Sequence, residues 1–314
     1  MLDIPNIQSS VLLAPYTTYK IGGPADYFVE VTSVDALVQA VTAARAARMP
    51  YFILGCGANI LVRDGGFRGL IIHNRANKVT VLPEYRLKAE SGAVVADIIE
   101  LTRDHALSGF EHFVGIPSTI GGAIWQNLHF LAPDRQSTLY IGDLLMSARV
   151  LDEKNNVLTV DREFFRFGYD DTVLHHRELV VLDAVFQLSP KVTAEIQAQM
   201  DANMAWRIEK QPQLPEFPSC GSVFKKIEGV GAGRLIDQAR LKGTQIGQAQ
   251  ISPKHANYIV NLGGAKAADV LALIELAQER VKATSGYELE PEIAIIGEYE
   301  KGAENGTNPD SATH

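Results

Sequence analysis

Apolar and polar positions alternate over YFVEV (27–31), the period of a half-buried strand. Beyond Ser33, a hydroxyl suited to cap a helix, Leu37, Ala40, Val41 and Ala44 share one helical face, and the apolar run YFILG (51–55) then ends in glycine. This predicts a β-α-β unit followed by a glycine-punctuated turn. Helical periodicity returns in VVADIIELTRDHA (94–106), whereas MSARVLD, NVLTV and LVVLDAVFQL, within 146–188, read as strands. Ile196, Met200 and Met204 repeat at four-residue spacing, which predicts an amphipathic helix between 192 and 206 with a core-facing stripe. The three prolines of QPQLPEFP (211–218) break that helix and suggest a domain boundary. Val270, Ile274, Ala277 and Val281 lie on one face of a helix over 267–281, and IAIIG (293–297) reads as a strand. The tail GAENGTNPDSATH is expected to be disordered. No internal repeat interrupts this α+β pattern.

Composition narrows the classes. A chain of 314 residues, 46% hydrophobic and 21% charged, can bury two or three cores. No apolar run approaches the length of a membrane span, so the expected setting is cytoplasmic with no membrane partner. Two cysteines, Cys56 and Cys220, provide neither a disulfide framework nor a CxxC zinc or redox signature, and no metal cluster is visible. A net charge of -8 argues against a nucleic-acid partner, which needs a basic surface. The charge is uneven, however. Between Ser219 and Asn261 six basic residues (Lys225, Lys226, Arg234, Arg240, Lys242, Lys254) face two acidic ones, as a small anionic ligand would require. Scattered surface charge explains that bias equally well.

Two glycine clusters could cradle phosphate. GCGANILVRDGGFRG (55–69) follows the strand ending at Leu54, and successive amides at Gly55, Cys56, Gly57, Ala58, Asn59 and Ile60 can form an anion-binding turn. It matches neither GxGxxG nor the Walker pattern. GIPSTIGGAIWQN (115–127) places Gly115, Ile116, Pro117, Ser118 and Thr119 ahead of a helix beginning near Ile120, with Gly121 and Gly122 in its first turn; Ser118 or Thr119 would cap it, leaving free amides for a pyrophosphate. Together the turns suit a dinucleotide; as two unrelated turns they would mean nothing. FPSCGSVFKK (217–226) adds a thiol, a hydroxyl and two lysines in one stretch.

With TTYKIGGPADYF (17–28), GCGANILVRD, GIPSTIGGAIWQN, GSVFKK, SPKHANYIVN (252–261) and LEPEIAIIG (289–297) in this order, the chain resembles the UDP-N-acetylenolpyruvoylglucosamine reductase (UDP-N-acetylmuramate dehydrogenase) family, in its shorter, type II form. The resemblance runs from about Tyr16 to Gly297. It implies an α+β fold: a two-lobed FAD-binding region of the vanillyl-alcohol-oxidase type, with lobes over 1–80 and 81–190, then a substrate-binding domain over 191–300 with its leading helix. It implies FAD as cofactor, NADPH as reductant, a UDP-sugar substrate bearing an enolpyruvyl group, and a place in peptidoglycan precursor synthesis, with no obligate protein partner. By the same resemblance Ser222 is the proton donor, and Glu292, the second glutamate of LEPE, assists protonation, which would call for a raised pKa. Cys220 is then a packed neighbour, although a thiol near two lysines could also be reactive. Tyr169, Gly221, Lys225, Lys226, Lys254 and His255 are the expected substrate contacts; for His255 a structural role is as good a reading.

The chain departs from the family in three places. Where the family has a Tyr-Arg pair, FGYDDTVLHHR has Tyr169 followed by Asp170, an anion where a cation receives the substrate carboxylate. Arg166 or Arg177 could substitute. NLHFLAPDRQ (127–136) replaces a glycine-rich run, and ARLKG (239–243) carries an arginine where the family has glycine. These changes leave two alternatives open: a paralogous flavoprotein of altered or lost activity, and a flavin-free nucleotide-sugar binder, which would be colourless.

Overall fold

The computed structural model describes residues 4–227 and 229–300; the predicted tail lies outside them. Strands β1 (Gln8–Leu12), β2 (Pro24–Val31), β3 (Tyr51–Leu54), β4 (Ile60–Val62) and β5 (Phe67–Asn74), with helix α1 (Val34–Ala46), make the first unit. Its sheet has the order β1-β2-β5-β3, with β2, β5 and β3 parallel and β1 antiparallel to β2. The Ser33 hydroxyl accepts the Ala36 N–H at 3.2 Å and starts α1. The helix buries Leu37, Ala40, Val41 and Ala44 against Val29, Val31, Leu70 and Ile72 of the sheet. Each buried Leu, Val or Ile in this contact contributes about 1.5–3 kcal/mol by leaving water, and each alanine less.

The second unit contains β6 (Val79–Leu82), β7 (Arg86–Glu90), α2 (Val95–Asp104), β8 (Leu107–Ser108), α3 (Ile120–Trp125), β9 (His129–Leu131), β10 (Thr138–Tyr140), β11 (Leu145–Leu151), β12 (Val157–Asp161), β13 (Val180–Gln187) and β14 (Ser189–Pro190). An antiparallel sheet of order β12-β11-β13-β7-β6 packs its apolar face, including Phe186, against α2, α3 and the turn bearing Phe110 and Phe113. Helix α4 (Thr193–Lys210) joins this core through Ile196 and Met200. The periodicity was a sound guide to that stripe, but the helix packs with the second unit rather than leading the third: its buried face meets Phe113 and Ile99, not the residues beyond the prolines.

The third unit has α5 (Ala232–Gln238), the three-stranded antiparallel sheet β15 (Gln245–Ile246), β16 (Ala249–Ile251) and β17 (Ile259–Asn261), helix α6 (Ala267–Ser285) and β18 (Ala294–Ile296). α6 buries Val270, Leu273, Ile274, Ala277 and Val281 and ends at Gly286, whose φ of +79° is readily adopted only without a β-carbon. Two ties draw the first unit into this core. Tyr19 is fully buried there and donates its hydroxyl to Ile259 O at 2.9 Å. The Asp64 carboxylate accepts the Ala267 and Ala268 N–H groups at 2.9 and 3.0 Å, capping α6 from another part of the chain. β18 then pairs in parallel with β4, Ala294 opposite Ile60.

Candidate active site

The turn after β3 is built to hold an anion. Cys56, Gly57, Ala58 and Asn59 present four successive N–H groups with no acceptor among the described residues. Gly57 has φ +61°, and a β-carbon there would lie 2.4 Å from Tyr16 O, so only glycine permits the turn. A β-carbon at Gly55 would fall 2.5 Å from Thr119 Oγ1, which means that the two glycine clusters face each other in contact. From the second cluster, the Ser118 and Thr119 N–H groups are likewise without acceptors among the described residues. Concentrated unpaired amides suit the diphosphate of FAD, and the residues present therefore fit that cofactor.

One expectation for this turn is corrected. Thr119 caps α3 as predicted, but the first amides of the helix are not free: Ile120 donates to Ala93 O at 2.9 Å, Gly121 to Ser91 O at 2.7 Å, and Gly122 to the Thr119 hydroxyl at 3.4 Å. The 91–93 turn, unread in the sequence, consumes them. Ile116 also spends its N–H, on Phe113 O. Gly115, at φ +77°, abuts Arg207 of α4, whose Nε would lie 2.9 Å from a β-carbon there. Ile116 and Pro117 are half-buried beside it. Ile60 is buried in β4 and paired in the ladder to β18.

Ser222 and Glu292 are brought together by strand-like pairing between their own segments. Glu292 donates its N–H to Val223 O at 2.8 Å, Lys225 donates to Glu290 O at 2.9 Å, and Phe224 stands opposite Pro291. Asn257 clamps the first of these segments from the other side. Its Oδ1 accepts the Phe224 N–H at 3.0 Å and its Nδ2 donates to Phe224 O at 2.8 Å. Both catalytic candidates line a cleft of about 460 Å3 with Tyr169, Lys226, Lys254 and His255. Two links join this cleft to the glycine turn. Thr18 donates its N–H to Gly57 O at 3.0 Å and its hydroxyl to Ser219 O at 2.7 Å, and Asn59 Nδ2 donates to Glu292 O at 3.4 Å.

Burial and the neighbouring Asp170 push the Glu292 carboxyl up to about 8, with Lys225 opposing. Cys220 is buried, and desolvation drives its thiol far above the ordinary range, with the Glu292 charge adding to this; the reactive reading of this cysteine is excluded. Cys56, in the glycine turn, is raised to about 11, chiefly by burial.

The lysines divide. Lys226 lines the cleft, whereas Lys225 is paired with the exposed Glu290 and is not part of the lining, and Gly221, at φ +84°, shapes the turn without lining it. Lys254 donates to Ile208 O at the end of α4 while its stem borders the cleft. His255 packs edge-on against Tyr258 with ring centroids 4.9 Å apart, and burial lowers its pKa. Sequence reading did not assign Arg234, Lys242 and Asn257, which also line the cleft; the local excess of basic residues held the signal for the first two.

Asp170 is the largest surprise. Its side chain is 1% exposed, its φ is +51°, and neither carboxylate oxygen has a hydrogen-bond partner among the described residues. His129 Nδ1, from the divergent 127–136 segment, approaches to 3.6 Å. Burial raises the Asp170 carboxyl and lowers the His129 imidazole, each opposed by the other. The two departures from the family thus meet as a buried pair outside the cleft lining. Arg177 is engaged by Glu153 and Arg166 is exposed in a left-handed turn, and neither lines the cleft.

Residues 25–161 match the family model for an FAD binding domain, and residues 211–296 match that for UDP-N-acetylenolpyruvoylglucosamine reductase, C-terminal domain. The UDP-N-acetylenolpyruvoylglucosamine reductase of Lactococcus lactis subsp. cremoris (strain MG1363) is 38% identical over 301 residues, covering 94% of this chain and 98% of its own. That of Chlamydia muridarum is 39% identical over 291 residues, covering 93% and 95%. The crystal structure of the enzyme from Thermus caldophilus aligns with a TM-score of 0.76 at 31% identity, covering 91% of this chain and 97% of that one. The fold is the FAD-binding α+β architecture expected from the motifs. Site geometry, ordered motifs and full-length similarity converge: the chain belongs to the UDP-N-acetylenolpyruvoylglucosamine reductase family.

Proposed function

We propose that this protein is an FAD-dependent oxidoreductase that reduces the enolpyruvyl group of UDP-N-acetylglucosamine-enolpyruvate to the lactyl ether of UDP-N-acetylmuramate, with NADPH as reductant, in peptidoglycan precursor synthesis. The observation that carries the reading is the pair of hydrogen-bonded links from the glycine turn to the two catalytic segments, Thr18 to Ser219 and Asn59 to Glu292. They couple an anion cradle to a proton donor and a carboxyl in one rigid frame, as a reaction between cofactor and substrate requires. FAD, when bound, supplies the hydride.

The chain's own groups do the rest. The amides of 56–59 and 118–119 hold the diphosphate of FAD. Lys226, Arg234 and Lys242 offer positive charge to the substrate's anionic groups in a cleft that Tyr169 also lines. Ser222 delivers its hydroxyl proton to the substrate carbon left electron-rich beside its carboxylate. Glu292, protonated near neutrality because burial and Asp170 both disfavour its charge, stabilises the enolic oxygen by donating a hydrogen bond. Asp170 does not line the cleft as its sequence position suggests, because its carboxyl is buried beside His129. Among the described residues no helix is long and apolar enough to cross a membrane, and no group of His, Cys, Asp and Glu could hold a metal.

An anaerobic stopped-flow experiment on the FAD-loaded protein tests this. NADPH should bleach the flavin, and the enolpyruvyl substrate should restore its colour. Ser222→Ala should leave the bleaching intact and slow the restoration about 10²–10⁴-fold. A colourless protein that binds no added FAD would overturn the reading.

A further inference from the structure

The turn over 168–171 exposes one of its central side chains and buries the other. Gly168 donates its N–H to Asp171 O at 2.8 Å, and its carbonyl accepts Asn127 Nδ2 at 2.8 Å. Tyr169 is 40% exposed and lines the cleft with Ser222 and Glu292, whereas the Asp170 side chain is 1% exposed. Tyr169 also borders a second cavity of about 260 Å3, with Asn127, Tyr140 and Phe167. Its ring is thus a partition between two open spaces, and holding such a ring in one orientation takes support from its neighbours.

His129 is placed to give it. From β9 its imidazole lies against the Tyr169 ring with centroids 4.9 Å apart, and Tyr140 stands on it at 5.4 Å. Two acceptors face its Nδ1, Asn127 O at 3.4 Å and Asp170 Oδ1 at 3.6 Å, which assigns a proton to that nitrogen. Asp170 has no rival use. An aspartate is tolerated in a left-handed turn because its side chain can hydrogen-bond local backbone, yet at φ +51° neither Asp170 oxygen has a partner among the described residues. Turn chemistry does not account for the carboxylate; the imidazole does. Around the two, Gln126, the Tyr169 hydroxyl and Lys225 favour charge on Asp170, Glu292 faces it as a second acid, and Lys226 disfavours charge on His129.

We propose that Asp170 and His129 are a positioning pair: sharing one proton between them, they brace the Tyr169 ring in the orientation that shapes the cleft for substrate. Whichever group holds the proton, the pair carries no net charge, and neither residue needs to touch the substrate to act. This rests on the reading of the cleft as the substrate site.

Steady-state kinetics and ring-nitrogen NMR on the FAD-loaded protein test it. Asp170→Asn keeps the side-chain shape in the left-handed turn and removes the charge; His129→Phe keeps a ring against Tyr169 and removes the nitrogens. Each should raise the KM for the enolpyruvyl substrate at least about fivefold, with kcat within about twofold of the parent. Combining them should cost no more than the worse single change, and in a Tyr169→Ala background Asp170→Asn should move KM less than about twofold. The His129 midpoint should fall in Asp170→Asn, because the carboxylate that favours the imidazolium is gone. Losses that multiply in the double variant, or that persist without the Tyr169 ring, overturn the proposal, as does an unmoved His129 midpoint. If Asp170→Asn does not fold, His129→Phe with and without the Tyr169 ring makes the same comparison. Should the parent bind no enolpyruvyl sugar nucleotide, the functional reading fails instead, and the His129 midpoint alone decides on the pair.

Discussion

Glu292 and Cys220 show how burial, more than any neighbouring charge, tunes single residues in this site. The Glu292 carboxyl is shifted from 4.5 to about 8, so between those values the folded chain holds a proton that the unfolded chain has released. Stability from this group is complete below the lower value and is lost as pH rises through the upper one. Glu292→Gln should abolish that decline, and urea midpoints across the window check it: parallel profiles for parent and variant would mean the carboxyl is not shifted. Cys220 is held as a thiol deep in the third core and Cys56 is raised to about 11. A chromogenic disulfide reagent at mildly alkaline pH should therefore modify Cys56 slowly and Cys220 only upon unfolding; rapid titration of two thiols in the native protein would contradict this.

At the level of elements, the glycine turn after β3 is the most constrained piece of backbone near the site. Gly57→Ala must place a β-carbon against Tyr16 O in a left-handed conformation, and FAD affinity, followed by flavin fluorescence, should fall by at least about tenfold. Thr18→Val removes the hydroxyl bond to Ser219 O while leaving the N–H bond to Gly57 O, so turnover should drop several-fold with FAD binding nearly unchanged. Equal losses in both would show that Thr18 only supports the turn. Much of this was legible in the sequence. Ser33, the α1 stripe and the α6 stripe follow from local periodicity, and the ordered motifs named the turn, Ser222 and Glu292. Three things were not. The bonds from Ile120 and Gly121 to the 91–93 turn depend on a partner with no helical or strand period. The packing of α4 on the second unit depends on which core lies nearest, and a stripe of Ile and Met is silent on that. The burial of Asp170 beside His129 could not be read from either segment alone, since each looked like an isolated departure.

Across the whole molecule, the site is a seam. Amides from the first unit, the capped turn of the second and the paired segments of the third converge on one place, so a ligand filling the seam should oppose the separation of all three. Saturating FAD, at about a hundred times its dissociation constant, should add about 2.7 kcal/mol to the unfolding free energy. Loss of the near-visible flavin signal should coincide with loss of helical circular dichroism; separate transitions would show that the units part before they melt. The short ladder between β4 and β18 adds a constraint of timing. Asn59 and Glu292, which it sets side by side, are 233 positions apart. At cellular translation speeds of about 5–20 residues per second, β4 leaves the ribosome some ten to fifty seconds ahead of its partner. For that interval the nascent chain exposes an open strand edge, so a message truncated before β18 should yield aggregate rather than a smaller flavin-binding fragment.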